Sequence, residues 1–175
     1  MLMVTVSLQA QTMSDDSRSW AEGWKYAFSK EGRQNWKPEF TARYYAGFVT
    51  EGPAVTGGVR IDDKRTLGLM VWQGKTWIDA VPASVYSISA GLYMRRYFHL
   101  GQKDIVALYC DLAIGAGYVY KIDGTADSTQ YSKGEVLFAA ALQPGIRFRL
   151  WKNLHLFLGP TLSTNTVGLH LGVGF

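Results

Sequence analysis

From Phe40 to the end of the chain, apolar residues alternate with polar or small ones, the period of a strand with two unlike faces. The alternation predicts eight strands, at about 39–49, 54–61, 65–73, 84–98, 104–121, 134–150, 153–162 and 166–175. Before them the period differs. Trp20, Trp24, Ala27 and Phe28 recur at helical spacing, Ser19 and Glu22 form a capping box, and Gly32 is a stop. One amphipathic helix is expected over about residues 20–31, followed by a linker closed by Pro38.

The content of the two faces decides what kind of sheet this is. One face is bulky and apolar: Phe40, Tyr44 and Phe48; Ile88, Leu92 and Met94; Leu108, Leu112 and Ile114; Phe138, Leu142 and Ile146; Leu154, Leu156 and Leu158. The other holds Arg43, Arg60, Arg95, Asp111, Glu135, Gln143, Arg147, Arg149, His155 and His170, together with most strand glycines. A soluble lipocalin-like ligand-binding barrel needs its apolar face inside. A narrow lumen instead requires large and small residues to alternate, as glycine does here with Arg and Tyr. Bulky apolar residues fit a lipid-facing wall. The expected fold is therefore all-β: an eight-stranded antiparallel transmembrane β-barrel with a short N-terminal amphipathic helix. Its domains are residues 1–11, read as the remnant of a signal peptide; 12–38, a periplasmic segment carrying the helix; and 39–175, the barrel.

The connections give an independent handle. Residues 62–64, 99–103 and 151–153 are short, whereas 74–83 and 123–133 are long. Short turns at one rim and longer loops at the other is the outer-membrane arrangement, with both termini periplasmic.

Composition changes the picture only a little. The chain of 175 residues is 47% hydrophobic and 18% charged, with a net charge of +4. No basic run with interleaved aromatics points to nucleic acid. One cysteine, Cys110, excludes an internal disulfide.

These residues make the chain resemble bacterial outer-membrane β-barrel proteins, in particular the small eight-stranded class that includes the membrane domain of outer membrane protein A. The most specific part is the ending, with Leu171, Val173 and the terminal Phe175 at alternate positions. The resemblance implies that the barrel-assembly machinery reads Phe175, Val173 and Leu171 as an assembly signal. His170 stands where that family often has glycine. The partners implied are outer-membrane lipid and that machinery, with the chain a monomer.

Candidate chemistry is sparse. His155 and His170 are placed about three residues out of register, roughly 10 Å apart, too far to share a metal. A serine hydrolase of the outer leaflet, as in lipid A deacylases, would need a His near the outer rim; His99 falls at a periplasmic turn. No catalytic, cofactor or metal residues are assigned, and no cofactor is expected. What stands out is a lumen charge cluster: Arg43, Arg60, Arg95, Asp111, Glu135, Arg147, Arg149 and His170. The five arginines fall towards the periplasmic strand ends and must be countered. Three sources are open: water with the rim acids Asp62, Asp63, Asp104 and the terminal carboxylate; the N-terminal segment docking at the mouth with Asp15, Asp16, Glu22 and Glu31; or that segment lying on the membrane through Trp20, Trp24 and Phe28. A side-chain-filled lumen points to a structural or surface-interaction role, with a narrow porin-like channel as the alternative.

Overall fold

The computed structural model describes residues 20–48, 50–78, 83–100, 105–123, 133–164 and 166–175. The expected signal remnant 1–11, together with Asp15, Asp16, Ser19 and Asp104 and the side chains of Trp20 and Glu22, lies outside the described part. Eight strands follow two short helices: α1 (Trp20–Ala27), α2 (Lys30–Arg33), β1 (Lys37–Gly47), β2 (Thr50–Arg60), β3 (Arg65–Ile78), β4 (Ala83–His99), β5 (Val106–Asp123), β6 (Val136–Arg149), β7 (His155–Ser163) and β8 (Thr166–Gly174). All neighbours are antiparallel, and β8 returns to β1 to close the barrel. Closure continues past the ladder. The amide of Phe175 donates to the Phe40 carbonyl at 3.0 Å, and the Phe40 amide donates to the Phe175 carbonyl at 2.9 Å.

The two faces sort as the alternation requires. Leu92 is 72% exposed, Phe138 66% and Leu169 63%, all on the outside, whereas Arg95, Thr66 and Val119 inside are fully buried. Such a wall can be covered only by an apolar solvent. The lumen glycines make room for neighbours. A Cβ at Gly145 would lie 2.7 Å from the Tyr109 hydroxyl, one at Gly68 2.8 Å from the Tyr93 ring, and one at Gly174 2.8 Å from the Phe157 ring. At Gly172 it would meet the Arg43 stem.

Three expectations need correction, and one irregularity adds to them. The helix is broken in two, because Ser29 adopts an extended conformation and its hydroxyl accepts the Gly32 amide at 3.0 Å, which starts a new turn. The second strand begins at Thr50, not at 54, and Glu51, Gly52 and Pro53 pair with β1. Pro53 is tolerated because the β2–β3 ladder is broken opposite it, where the Tyr45 hydroxyl donates to the Gln73 carbonyl from inside the lumen. The third strand runs on to Ile78, which shortens the supposed long loop 74–83 to residues 79–82. Finally, β5 carries a bulge between its pairings Ser87↔Val119 and Tyr86↔Lys121. The bulge leaves Tyr120 as the extra residue, with its ring 6.3 Å from that of Tyr86.

The outer wall has definite edges. Lys75, Tyr86 and Lys121 form one cross-strand row, with the Lys121 ammonium 5.0 Å from the Tyr86 ring centroid. Arg65, Arg96 and Cys110 form another. Tyr86 and Arg96 stand ten residues apart on β4. That is about 34 Å of strand, or about 25 Å along the membrane normal at the usual tilt. The two rows therefore bracket an apolar band as tall as a bilayer's hydrocarbon core in a bacterial barrel.

Candidate functional site

The lower half of the lumen, towards the end where β1 begins, holds a closed ionic network. Arg95 on β4 is its hub. Its Nε and Nη2 donate to the two carboxylate oxygens of Asp111 on β5 at 2.7 and 2.9 Å, a bidentate fork between register partners. Its Nη1 pairs across the lumen with Glu39 on β1 and donates to the Tyr97 hydroxyl at 3.2 Å. Glu39 also accepts from the Tyr97 hydroxyl at 2.9 Å and from Thr66 at 3.0 Å. Arg43 on β1 reaches the other side of Asp111 at 2.7 Å and donates to Gln143 on β6 at 3.0 Å. Strands β1, β3, β4, β5 and β6 are thus tied together through polar atoms.

Aromatic rings fill the space around the guanidinium groups. The Arg95 guanidinium carbon lies 4.7 Å from the Phe157 ring centroid, that of Arg43 5.0 Å from the same ring, and that of Arg147 4.6 Å from Tyr97. Guanidinium planes stack on rings more readily than ammonium groups do, which suits Arg to this packed space. His170 completes the layer. One ring nitrogen meets the Tyr109 hydroxyl and the other the Thr161 hydroxyl at 2.8 Å.

Of the cluster expected from sequence, the fold brings together Arg43, Arg95, Asp111, Arg147 and His170. Three members lie elsewhere. Arg60 is at the lower edge, bonded to the carbonyls of Asp62 and Asp63 at 3.3 and 2.9 Å and lying over Tyr97 at 5.1 Å. Arg149 is exposed, opposite His155 in the ladder. Glu135 belongs to the opposite end, where its carbonyl accepts the Val119 amide. His155 and His170 pair with Gly174 and Gly159, four residues apart along β7 rather than three, and so are held further apart than expected.

Sequence reasoning missed Glu39. It has lumen parity with Arg43, whereas the counterions expected from sequence are rim acids. The signal was present, since Glu39, Thr41, Arg43 and Tyr45 share one face.

The N-terminal segment does not face the arginines through the part that is described. Trp24 stacks on Phe28 with centroids 5.8 Å apart, Phe28 meets Trp36 edge-on, and the Trp36 indole donates to the Ala27 carbonyl at 3.1 Å. Trp24 lies under Arg65, 4.5 Å from its guanidinium, and Arg65 points outward from β3. The helices therefore rest beside the wall at the rim.

The two ends differ in charge. At the end with the helices the described cations are Lys25, Lys30, Arg33, Lys37, Arg60, Lys64, Arg65, Arg96, Arg149 and Lys152, against Glu31, Asp62 and Asp63. At the other end Lys75, Lys121 and Lys133 face Glu51, Asp123 and Glu135.

Above the ionic network lies a cavity of about 10 Å³, room for one water, lined by Tyr45, Met70, Trp72, Ala141, Gln143, Thr161 and Ser163. Among the described residues, no group of three or more His, Cys, Asp or Glu side chains is placed to hold a metal.

The architecture has known counterparts. The chain is similar to the N-terminal β-barrel domain of Pseudomonas aeruginosa OprF, with a TM-score of 0.53 and 16% identity over 81% of this chain and 96% of that one. It is also similar to Neisserial surface protein A, with a TM-score of 0.48 and 14% identity over 79% of this chain and 94% of that one. The outer membrane enzyme PagL gives a TM-score of 0.42 and 13% identity over 78% of this chain and 98% of that one. No family model matches the sequence, and neither does any curated protein. The fold is that of the small eight-stranded outer-membrane barrels.

Proposed function

We propose that this chain is an integral outer-membrane barrel with a closed lumen, whose role is structural or one of surface interaction. The observation that carries this reading is the Glu39–Arg95–Asp111–Arg43 network, which crosses the lumen and has aromatic rings packed around it. A solute path would have to break a buried bidentate pair, and removing one partner of such a pair costs about 3–5 kcal/mol. The same network speaks against a soluble ligand-binding barrel, whose interior would be apolar. His170 supports a non-catalytic role, because both ring nitrogens are taken by neighbouring hydroxyls deep in the lumen.

Orientation belongs to this proposal. The start of β1 and the end of β8 lie at the basic rim, and we place that rim in the periplasm. The longest connection, between β5 and β6, lies at the opposite end and supports this. In the same reading, the outward and exposed Phe175, Val173 and Leu171 are presented to the assembly machinery.

Planar-bilayer recording of the refolded protein tests the closed lumen. Negligible conductance is expected. Discrete, reproducible steps would replace this reading with the narrow channel.

A further inference from the structure

The outward row at the basic rim contains an arrangement that a folded sheet normally avoids. Arg65 and Arg96 are direct cross-strand partners on the lipid-facing wall. Like charges placed directly opposite each other repel. Among the described residues, only one of the pair is countered. Asp62 takes the Nε and Nη2 of Arg65 at 2.7 and 2.5 Å. Arg96 is exposed and lies 5.3 Å over the Phe98 ring, and it makes no ion pair among the described residues. Trp24 of α1 closes one side of the pair. The row lies at the edge of the apolar band, where lipid headgroups begin, and the surrounding rim has a large excess of cations.

We infer that Arg65 and Arg96, with Trp24 beside them, bind the phosphate of an anionic glycerophospholipid in the leaflet around the basic rim. The open fork of Arg96, with the Nη1 that Asp62 leaves on Arg65 of the adjacent strand, offers donors to phosphate oxygens, which a planar guanidinium suits better than a lysine point charge does. The bound anion would relieve the repulsion across the ladder. It would also hold α1 and α2 in the interface, with exposed Tyr26 and Phe28 towards the acyl boundary. The inference rests on the membrane reading and adds a lipid class and a site to it.

The single cysteine supplies the probe. Cys110 is the ladder partner of Arg96 on the same outer row. A bimane on Cys110 of the full chain, refolded into phosphatidylcholine vesicles, is titrated with headgroup-proximal nitroxide lipids of the phosphatidylglycerol or phosphatidylcholine type. Quenching by the glycerol lipid should be preferred by about five-fold, which is the worth of one surface arginine against an anionic leaflet. Arg96→Gln should abolish the preference and Arg96→Lys should reduce it. Lys152→Gln, on the same rim but outside the pair, should leave it intact. Equal quenching by the two lipids overturns the inference. So does an equal loss in the Arg96 and Lys152 variants, which would mean a diffuse basic collar. Displacement by inorganic phosphate at concentrations similar to those of the lipid would assign the site to a free anion and overturn it too, as would stronger quenching competition from lipopolysaccharide. A protein that fails to insert, with no heat-dependent shift on a gel, contradicts the membrane reading itself and is distinguishable from all of these.

Discussion

The two halves of the lumen are closed by different chemistry. The lower half is filled by Arg95, Asp111, Glu39 and Arg43, each oxygen and most nitrogens bound, with rings packed around them. The upper half is filled by Tyr45, Met70, Trp72 and small residues. Thr50 and Thr76 meet there at 2.8 Å, and one water-sized void remains. Charge lets long side chains span the lumen and tie strands that are not neighbours, such as β1 and β4. The upper half is joined by hydroxyl and apolar contacts without charge, some between adjacent strands, as Thr50 with Thr76, and some across a strand, as Tyr45 with the Gln73 carbonyl. The lower half should therefore act as the cooperative centre of the barrel, and the upper half should tolerate change.

The sharpest way to break this contrast is Arg95→Met. It leaves Glu39 and Asp111 buried without their shared partner, and should lower the stability of the vesicle-refolded barrel by about 3–5 kcal/mol in urea titrations. Adding Glu39→Gln to it should recover much of the loss, because the uncompensated Glu39 charge is then gone while Asp111 keeps Arg43 as its partner. Gly145→Val should follow, at about 1–3 kcal/mol, since its side chain must displace the Tyr109 ring. Thr161→Val removes the hydroxyl partner of His170 and should cost about 1 kcal/mol in the same titration. Ser163→Val, at the void, should change stability by less than about 1 kcal/mol in either direction. A Ser163→Val loss as large as that of Arg95→Met would erase the distinction between the halves.

Much of this was readable from residue order. Alternation located eight strands and both faces, because a barrel wall between lipid and a polar lumen enforces period two on every strand. The lumen glycines were legible for the same reason, since a narrow barrel must alternate large and small residues. What escaped depended on closure. Glu39 and Arg95 are 56 residues apart and lie on non-adjacent strands, so only the stagger of the closed sheet brings them together. The strand through Pro53 was hidden because Pro normally ends a ladder, and the replacement donor, the Tyr45 hydroxyl, comes from another strand. The helix break at Ser29 followed from a local hydroxyl competing with the helix, which the apolar spacing of Trp24, Ala27 and Phe28 masks.

The central claim is that the apolar face looks outward into lipid and the charged face inward. A spin-label scan of β4 in refolded vesicles tests it most directly. Labels at Ile88, Ala90, Leu92 and Met94 should show high collision rates with oxygen, which partitions into lipid, and low rates with a water-soluble nickel chelate. Labels at Ser87 and Ser89 should be shielded from both. High nickel accessibility at Leu92 and its outward neighbours, with oxygen no higher there than in buffer, would mean that this face meets water and would contradict the account.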